Sequence, residues 1–454
     1  MQRNMLTKIS DRIEILRKSC IGCKPSYLAA GEFAVRSLKK VSIPEIVKGV
    51  TIVSEDDIST THIAKVFAEN IDATLEFGEV LKVRDKETGI TFYFKTLSKI
   101  TFQEDVVANS DFWLEAVYVP LNGDSGEDVV GEKTLDDIRT ETIRTIKDPY
   151  ILFKQKPECI LRAARYSASL GFKIDQNTLL AMCYRRQCIS LAVHKGVIRD
   201  ELNHILNSDH PEYGIDALRS SGVLERIIPE LTDLFDDGDT YRRQKNNYIH
   251  SLVVLGNVAK KTKDPNVRLA ALLHDIGKAK VKKWSEQKGW TFYNHDVAGV
   301  TMSQQIMKRL GIGNSKVSLL IGLHMRPSLM CLEENLTDSA IRRLITDSKG
   351  YIEDLMTLVS SDITTTNTKK RYKITKGFKV LKRKIKELIE KDRVRNYKPS
   401  VQGKEIMEYY GIKPCNLIGE IKNEMKDLIM EGTLEDNKEA IYKWLDHERG
   451  RFLG

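Results

Sequence analysis

In "CILRAARYSASLGF" and "ERIIPELTDLF", apolar residues recur every three or four positions, the spacing that gives a helix one apolar face. The same period runs through most of the chain from about residue 135 onward, so this part reads as helical. Between residues 27 and 120 the pattern differs. Short runs rich in β-branched and aromatic residues, "GVTIVS", "ITFYFK" and "LEAVYVPL", are mixed with helical stretches such as "STTHIAKVFAEN". That mixture predicts a small α/β head. The expected fold class is α+β, predominantly helical. A charged, loop-like patch, "DDGDTYRRQKNN", precedes a further helical block near Tyr248, and Gly403, Gly411 and Pro414 punctuate a last set of helices. Four domains are expected, at residues 1–125, 126–238, 239–370 and 371–454.

One apolar run ends abnormally. "ALLHDIGKAK" sets His274 and Asp275 side by side where a core-facing helix finishes. Such a pair is a poor core filler, because buried charge must be paired or bound to a metal. Four further segments supply partners: "NYIHSLVVL" (His250), "TFYNHDVAG" (His295), "LIGLHMRP" (His324) and "LVSSDITTTN" (Asp362). Each sets its polar residue on or beside an apolar helical stretch, so all of them can converge in one helical bundle. A lone histidine there is ordinarily a core or surface residue. Six imidazole and carboxylate groups in the order H…HD…H…H…D form a ligand set for divalent ions. Histidine and carboxylate donors leave Mg, Mn, Fe, Ni and Zn open.

Composition changes the picture in two places. Of the net charge of +9, residues 369–398 carry 14 Lys/Arg against three acids, or +11, leaving about −2 for the rest. That stripe suits a polyanion, with a solvated helix face as the alternative. The seven cysteines are an odd number and scattered, which argues for buried thiols; "CIGC" (Cys20, Cys23) lacks the second pair of a zinc site. The first residues lack a secretory apolar block and no run reaches a membrane span, so a cytoplasmic protein without membrane contact is expected.

The six-residue order resembles the HD-domain phosphohydrolases. By that resemblance His250, His274, Asp275 and Asp362 hold one metal, and Asp275, His295 and His324 a second. Lys278 matches the family lysine that meets the phosphate, which makes Asp275 and Lys278 the catalytic candidates. The resemblance widens with "ILRAARYSASLGFKIDQNTLLAM", similar to the helical neck of tRNA nucleotidyltransferases, the CCA-adding and poly(A)-polymerase-like family. "WTFYNHDVAG", "HMRP", "DLMTLVSSDITTTN" and the tail from "EKDRVRNYKPS" resemble bacterial members of Bacteroidetes type with a C-terminal HD domain. It covers about residues 25–450. It implies a nucleotidyltransferase-like head, a helical RNA-binding neck, an all-α HD domain and a basic helical tail. The implied partner is RNA, with Arg162 and Arg165 of the neck and Lys382, Arg383, Lys384 and Lys386 of the stripe as backbone contacts.

The head departs from that pattern. Where the family places a glycine pair, "VRD" and two metal-binding aspartates as D-x-D, this chain has Gly31, Val35-Arg36-Ser37 and Ile46-Val47-Lys48. Asp56 and Asp57 are adjacent, so they would face opposite sides of a strand. "RRDFTINA" has become "NSDFWLEA", keeping Asp111 but with Asn109, Ser110 and Glu115 at family positions. The strand expected to carry a third carboxylate reads "ITFYFK". The nucleobase-selecting D-x-x-R pattern has Lys156 and Cys159, and "ERI" has become "KGV" at 195–197. Phosphoryl transfer of this kind needs its metals. The expectation is therefore a pseudo-nucleotidyltransferase head beside an intact HD phosphohydrolase acting on RNA, with tRNA 3′ ends as the implied substrate. A working CCA-adding or poly(A)-type transferase and a non-catalytic RNA-binding protein are the alternatives.

Overall fold

In the computed structural model the head is a six-stranded sheet in the order β3-β4-β5-β2-β1-β6. Its strands are β1 (Ser26–Ala29), β2 (Gly49–Ser54), β3 (Ala73–Glu76), β4 (Leu81–Asp85), β5 (Thr91–Thr96) and β6 (Tyr118–Pro120). Only β2 and β5 pair in parallel; the remaining neighbours are antiparallel. The structure describes residues 26–29, 49–54, 57–71, 73–77, 81–86, 91–96, 110–116 and 118–120 of the head. Beyond it, residues 132–234 and 246–453 are described except 314, 334–335, 366 and 397. Cys20, Cys23, Gly31, Val35, Arg36, Ser37, Ile46, Val47, Lys48, Asp56 and Asn109, and most of "DDGDTYRRQKNN", lie outside the described residues.

The helix Asp57–Glu69 covers one face of this sheet, with Ile63, Ala64 and Phe67 buried and Phe67 edge-on to Phe92 at 4.7 Å. "GVTIVS" and most of "ITFYFK" are strands, as their patterns predict. "LEAVYVPL" is only half a strand. Its first residues belong to the 3-10 turn Trp113–Glu115, because the Glu115 carboxylate accepts the backbone N–H groups of Asp111 and Phe112 and turns the chain there.

The rest is helical, and the overall α+β, predominantly helical class holds. "CILRAARYSASL" forms most of the helix Glu158–Leu170, whose inner face buries Ile160, Leu161, Ala163, Ala164 and Ala168. Around it pack Lys195–Asn207 and Pro211–Ser220. Arg268 ties this bundle to the next one. It is fully buried and donates to the carbonyls of Leu206, Ser208, Ala259 and Thr262, so its guanidinium caps the ends of two helices.

Two compact units divide the chain: residues 1–325 with 353–371, and residues 326–352 with 372–454. From Tyr372 onward the helix Thr368–Asn396 belongs to the second unit, where it buries Leu381, Ile385 and Leu388, an i, i+4, i+7 stripe. A separate small core of Val401, Ile406, Ile421, Met425, Ile441 and Leu445 holds the final helices together. Among the described residues no helix is long and apolar enough to cross a membrane.

Candidate metal centre

Five elements bring the six sequence-predicted groups together. His250 sits in the first turn of Asn247–Ala259, whose Asn246 side chain caps Ile249 N. The helix Pro265–Leu273 starts from the capping Asp264, with proline at its first position, and ends directly before His274 and Asp275. His295 opens the helix His295–Leu310, His324 follows Ser315–Leu323, and Asp362 closes Ile352–Asp362. Gly277 makes the approach possible: a Cβ there would meet the carbonyl oxygen of His295 at 2.0 Å.

Asp275 stands at the centre, with one carboxylate oxygen turned each way. Its Oδ2 lies 3.5 Å from His250 Nε2 and 3.3 Å from His274 Nε2. Its Oδ1 lies 3.4 Å from His295 Nε2 and 3.9 Å from His324 Nε2. Asp362 joins the first pair, its Oδ1 2.9 Å from His250 Nε2 and 3.7 Å from His274 Nε2. Lys278 Nζ reaches Asp275 Oδ2 at 2.6 Å.

Hydrogen bonds fix the ring tautomers. Nδ1 of His274, His295 and His324 faces the backbone carbonyl three residues earlier, of Ala271, Phe292 and Ile321, at 2.9, 2.8 and 2.7 Å. A carbonyl only accepts, so each Nδ1 carries a proton, and whenever the ring is neutral its Nε2 presents a lone pair inward. The lone pairs of His295 and His324 then point at each other across 3.4 Å. Buried Nε2 of His274 has no hydrogen-bond partner among the described residues. Converging lone pairs and an orphaned ring nitrogen fit a cation, and such back-bonded imidazoles are how metal-binding histidines are held. The groups His250, His274 and Asp275, and Asp275, His295 and His324, each have donor atoms within 4.8 Å of one another.

The electrostatics agree. Burial disfavours charge on both aspartates, yet Asp275 and Asp362 lie well below the usual carboxylate range, Asp275 through His274 and Lys278, Asp362 through His250 and His274. Against the same burial, Asp275 and Asp362 push His274 up to about 10. Burial, with the charge on His274, lowers His250 and brings His324 down to about 4. One imidazolium thus balances the carboxylates, and a divalent cation entering the cluster would displace that proton. Thr364 is a partner that the sequence pattern missed. Its Oγ1 lies 3.2 Å from His250 Nδ1, two residues past Asp362 in "SDITTTN", where a threonine run gives no signal of its own.

The two neck arginines expected on RNA are engaged elsewhere. Arg162 pairs with Asp111 and with Glu115, and Arg165 with Glu201 at 2.9 Å. Around Arg162 the substituted head positions meet one another. Lys156 Nζ bonds Asp111 Oδ1 at 2.8 Å, the Cys159 thiol lies 3.5 Å from Asp111 Oδ2, and Tyr166 donates to Glu115 at 2.5 Å. Burial pushes the Cys159 thiol up to about 12, so it stays a neutral filler. On the basic helix, Lys382, Arg383 and Lys386 are exposed, whereas Lys384 turns inward and donates to the carbonyl of Leu336 at 2.9 Å.

The fold and site define an HD-domain protein with a helical neck. Residues 247–346 match the family described as HD domain, and residues 171–235 the one described as "Probable RNA and SrmB- binding site of polymerase A". A "Multifunctional CCA protein" of Teredinibacter turnerae is 28% identical over 55% of this chain and 60% of its own length. That of Legionella pneumophila strain Paris is 28% identical over 49% and 53%. The chain thus spans about half to three-fifths of these relatives. Among solved structures, the Thermotoga maritima CCA-adding enzyme complexed with tRNA aligns over 98% of both chains, with TM-score 0.51 and 16% identity. A tRNA nucleotidyltransferase complexed with a primer tRNA and an ATP analogue aligns over 79% of this chain and 96% of its own, with TM-score 0.52 and 16% identity. Residues 247–346 carry an HD domain, and the chain is similar in sequence to multifunctional CCA proteins and in fold to CCA-adding enzymes.

Proposed function

We propose that this protein is a metal-dependent phosphohydrolase acting on RNA ends, with tRNA 3′ termini bearing a phosphomonoester or 2′,3′-cyclic phosphate as its substrates. The observation that carries the reading is the pair of inward histidine sets sharing Asp275, one carboxylate oxygen to each. His250, His274, Asp275 and Asp362 would hold one divalent ion, and Asp275, His295 and His324 a second. Ions so placed supply Lewis-acid polarisation of phosphorus–oxygen bonds and an acidified water.

The chain's own residues do the rest. The carbonyls behind His274, His295 and His324 keep the rings aimed and their Nδ1 protons in place. Lys278 sits at the rim of the cluster, a fifth exposed, where its ammonium can leave Asp275 for a phosphate oxygen. Hydrolysis of a cyclic phosphate forms one P–O bond from water and breaks one ester bond, and the departing ribose oxygen takes up the proton that water gives. The basic helix and neck would hold the RNA backbone through phosphates, which positions the strand without reading it.

The relatives' description as multifunctional CCA proteins favours a second reading, nucleotide addition by the head. Against it stand Ile46 and Lys48 at the two positions where the resemblance expects metal-binding aspartates, and the closed ionic network of Asp111, Glu115, Lys156 and Arg162. One assay separates the two: purified protein with a panel of divalent metals, given tRNA ending in 2′,3′-cyclic phosphate or tRNA lacking CCA with CTP and ATP. Opening of the cyclic phosphate, or release of inorganic phosphate from a 3′-phosphorylated tRNA, supports the first reading. Incorporation of nucleotide alone overturns it.

A further inference from the structure

The segment between Lys278 and His295 leaves the metal centre and returns to it. Its two ends are pinned there. Lys278 bonds Asp275, and the Phe292 carbonyl faces His295 Nδ1 at 2.8 Å. Between them the chain forms a two-stranded hairpin of Lys283–Ser285 and Gly289–Thr291 with Trp284 directly opposite Trp290. Those rings meet edge-on at 5.2 Å, a cross-strand contact that holds a hairpin otherwise too small to persist. Yet Trp284 stays 47% exposed and Tyr293, just before the ligand, 65% exposed.

Charge accompanies the rings. Residues 278–293 contain Lys278, Lys280, Lys282, Lys283 and Lys288 against Glu286 alone, five minus one, a net +4. Lys282 Nζ lies 4.1 Å above the Trp290 ring, and Lys288 Nζ 3.2 Å from the Tyr293 hydroxyl. Exposed aromatic faces interleaved with ammonium groups bind single-stranded nucleic acid: every base has a face to stack, and every phosphate a charge to meet.

We propose that this hairpin, with Tyr293, is a stacking platform that seats the unpaired 3′-terminal bases of an RNA strand beside Asp275 and Lys278. Delivery of the terminal phosphate rests on the phosphohydrolase reading; the stacking of bases does not. Trp284 and Tyr293 are positioning residues that hold the strand in reach. The platform favours single-stranded ends over duplex, since a base inside a helix has no free face.

The test titrates a 5′-fluorescein-labelled short single-stranded RNA into the full-length, metal-loaded chain, reading anisotropy and tryptophan emission together. Wild type should show quenching, and Trp284→Ala and Tyr293→Ala should each weaken binding about tenfold or more. Trp284→Phe should recover most of the affinity, which a purely structural Trp284–Trp290 pair does not require of RNA binding. Tyr293→Ala leaves that pair intact and guards against a collapsed hairpin. Far-UV circular dichroism and metal content check the variants. Affinities within twofold of wild type for both alanine variants overturn the platform. Binding lost in both variants, with no phosphate released by wild type under any metal, supports the platform and overturns the hydrolase reading instead.

Discussion

Lys278 Nζ sits 2.6 Å from Oδ2 of Asp275, the oxygen that also faces His250 and His274. The lysine is thus bound to the carboxylate shared by both histidine sets, and the two residues have separable jobs. Asp275→Asn should abolish metal retention, measured by elemental analysis of the purified protein, and phosphohydrolase activity with it. Lys278→Ala should keep the metal and slow turnover by about 2–4 kcal/mol in the barrier, the scale of one lost charge-assisted contact in a site of this kind. A purely structural cluster predicts the reverse: Asp275→Asn lowers the melting temperature and leaves metal content unchanged.

Asp111 and Glu115 make the corresponding case for the head. Their carboxylates are consumed by Lys156, Arg162 and Tyr166, and no nucleotide should be added to tRNA at any magnesium concentration. Radiolabelled CTP and ATP incorporation measures this directly. Glu115→Gln should destabilise the fold by about 1–3 kcal/mol in chemical denaturation, below the cost of breaking a fully buried pair because the Arg162 side chain is 26% exposed. A neutral Glu115→Gln would mean that the network closes nothing.

The histidine–aspartate cluster was readable because its chemistry interrupts a pattern. Histidines and aspartates on apolar helices are conspicuous at 250, 274, 275, 295, 324 and 362, whereas the close approach that requires Gly277 shows only in the fold. What depends on distant partners was not readable. Glu115 and Arg162 are 47 residues apart, and neither position alone announces a pair. For Arg162 and Arg165 the sequence carries no sign of their carboxylate partners, which lie on other elements. Lys384 looked equivalent to Lys382 and Lys386 until the Leu336 carbonyl, 48 residues away, drew it inward. The hairpin at 283–291 was hidden by size, since three-residue strands are too short for a period to register.

The orientation of Lys384 sharpens the expectation for RNA. Lys382, Arg383 and Lys386 are exposed on the helix Thr368–Asn396, with Arg383 3.5 Å from Glu387. Replacing these three with alanine removes at most three phosphate partners. Affinity for tRNA should fall to a similar degree for unrelated sequences, and the slope of log K against log salt should flatten by up to about 3. Adding Lys384→Ala to the triple variant should change stability more than slope. Equilibrium binding over a salt series measures both; an unchanged slope would reduce the stripe to a solvated face.

A buried acid in the neck supplies a pH test independent of any ligand. Asp137 is fully buried, its nearest cation is Arg144 at 3.2 Å, and neither carboxylate oxygen has a hydrogen-bond partner among the described residues. Burial pushes it up to about 6, against the pull of Arg144 and with Asp136 and Asp175 adding to the rise. The folded state therefore keeps a proton that the unfolded chain releases near pH 4, and stability is lost as pH climbs from about 4 to about 6. Roughly two pKa units correspond to about 3 kcal/mol at most, a net figure that already includes the pull of Arg144. Asp137→Asn does not titrate and escapes this loss. Its melting temperature relative to wild type should rise steadily between pH 4 and pH 6 and level off above. A difference that stays flat across that window would mean that Asp137 ionises as freely in the folded protein as in the unfolded chain.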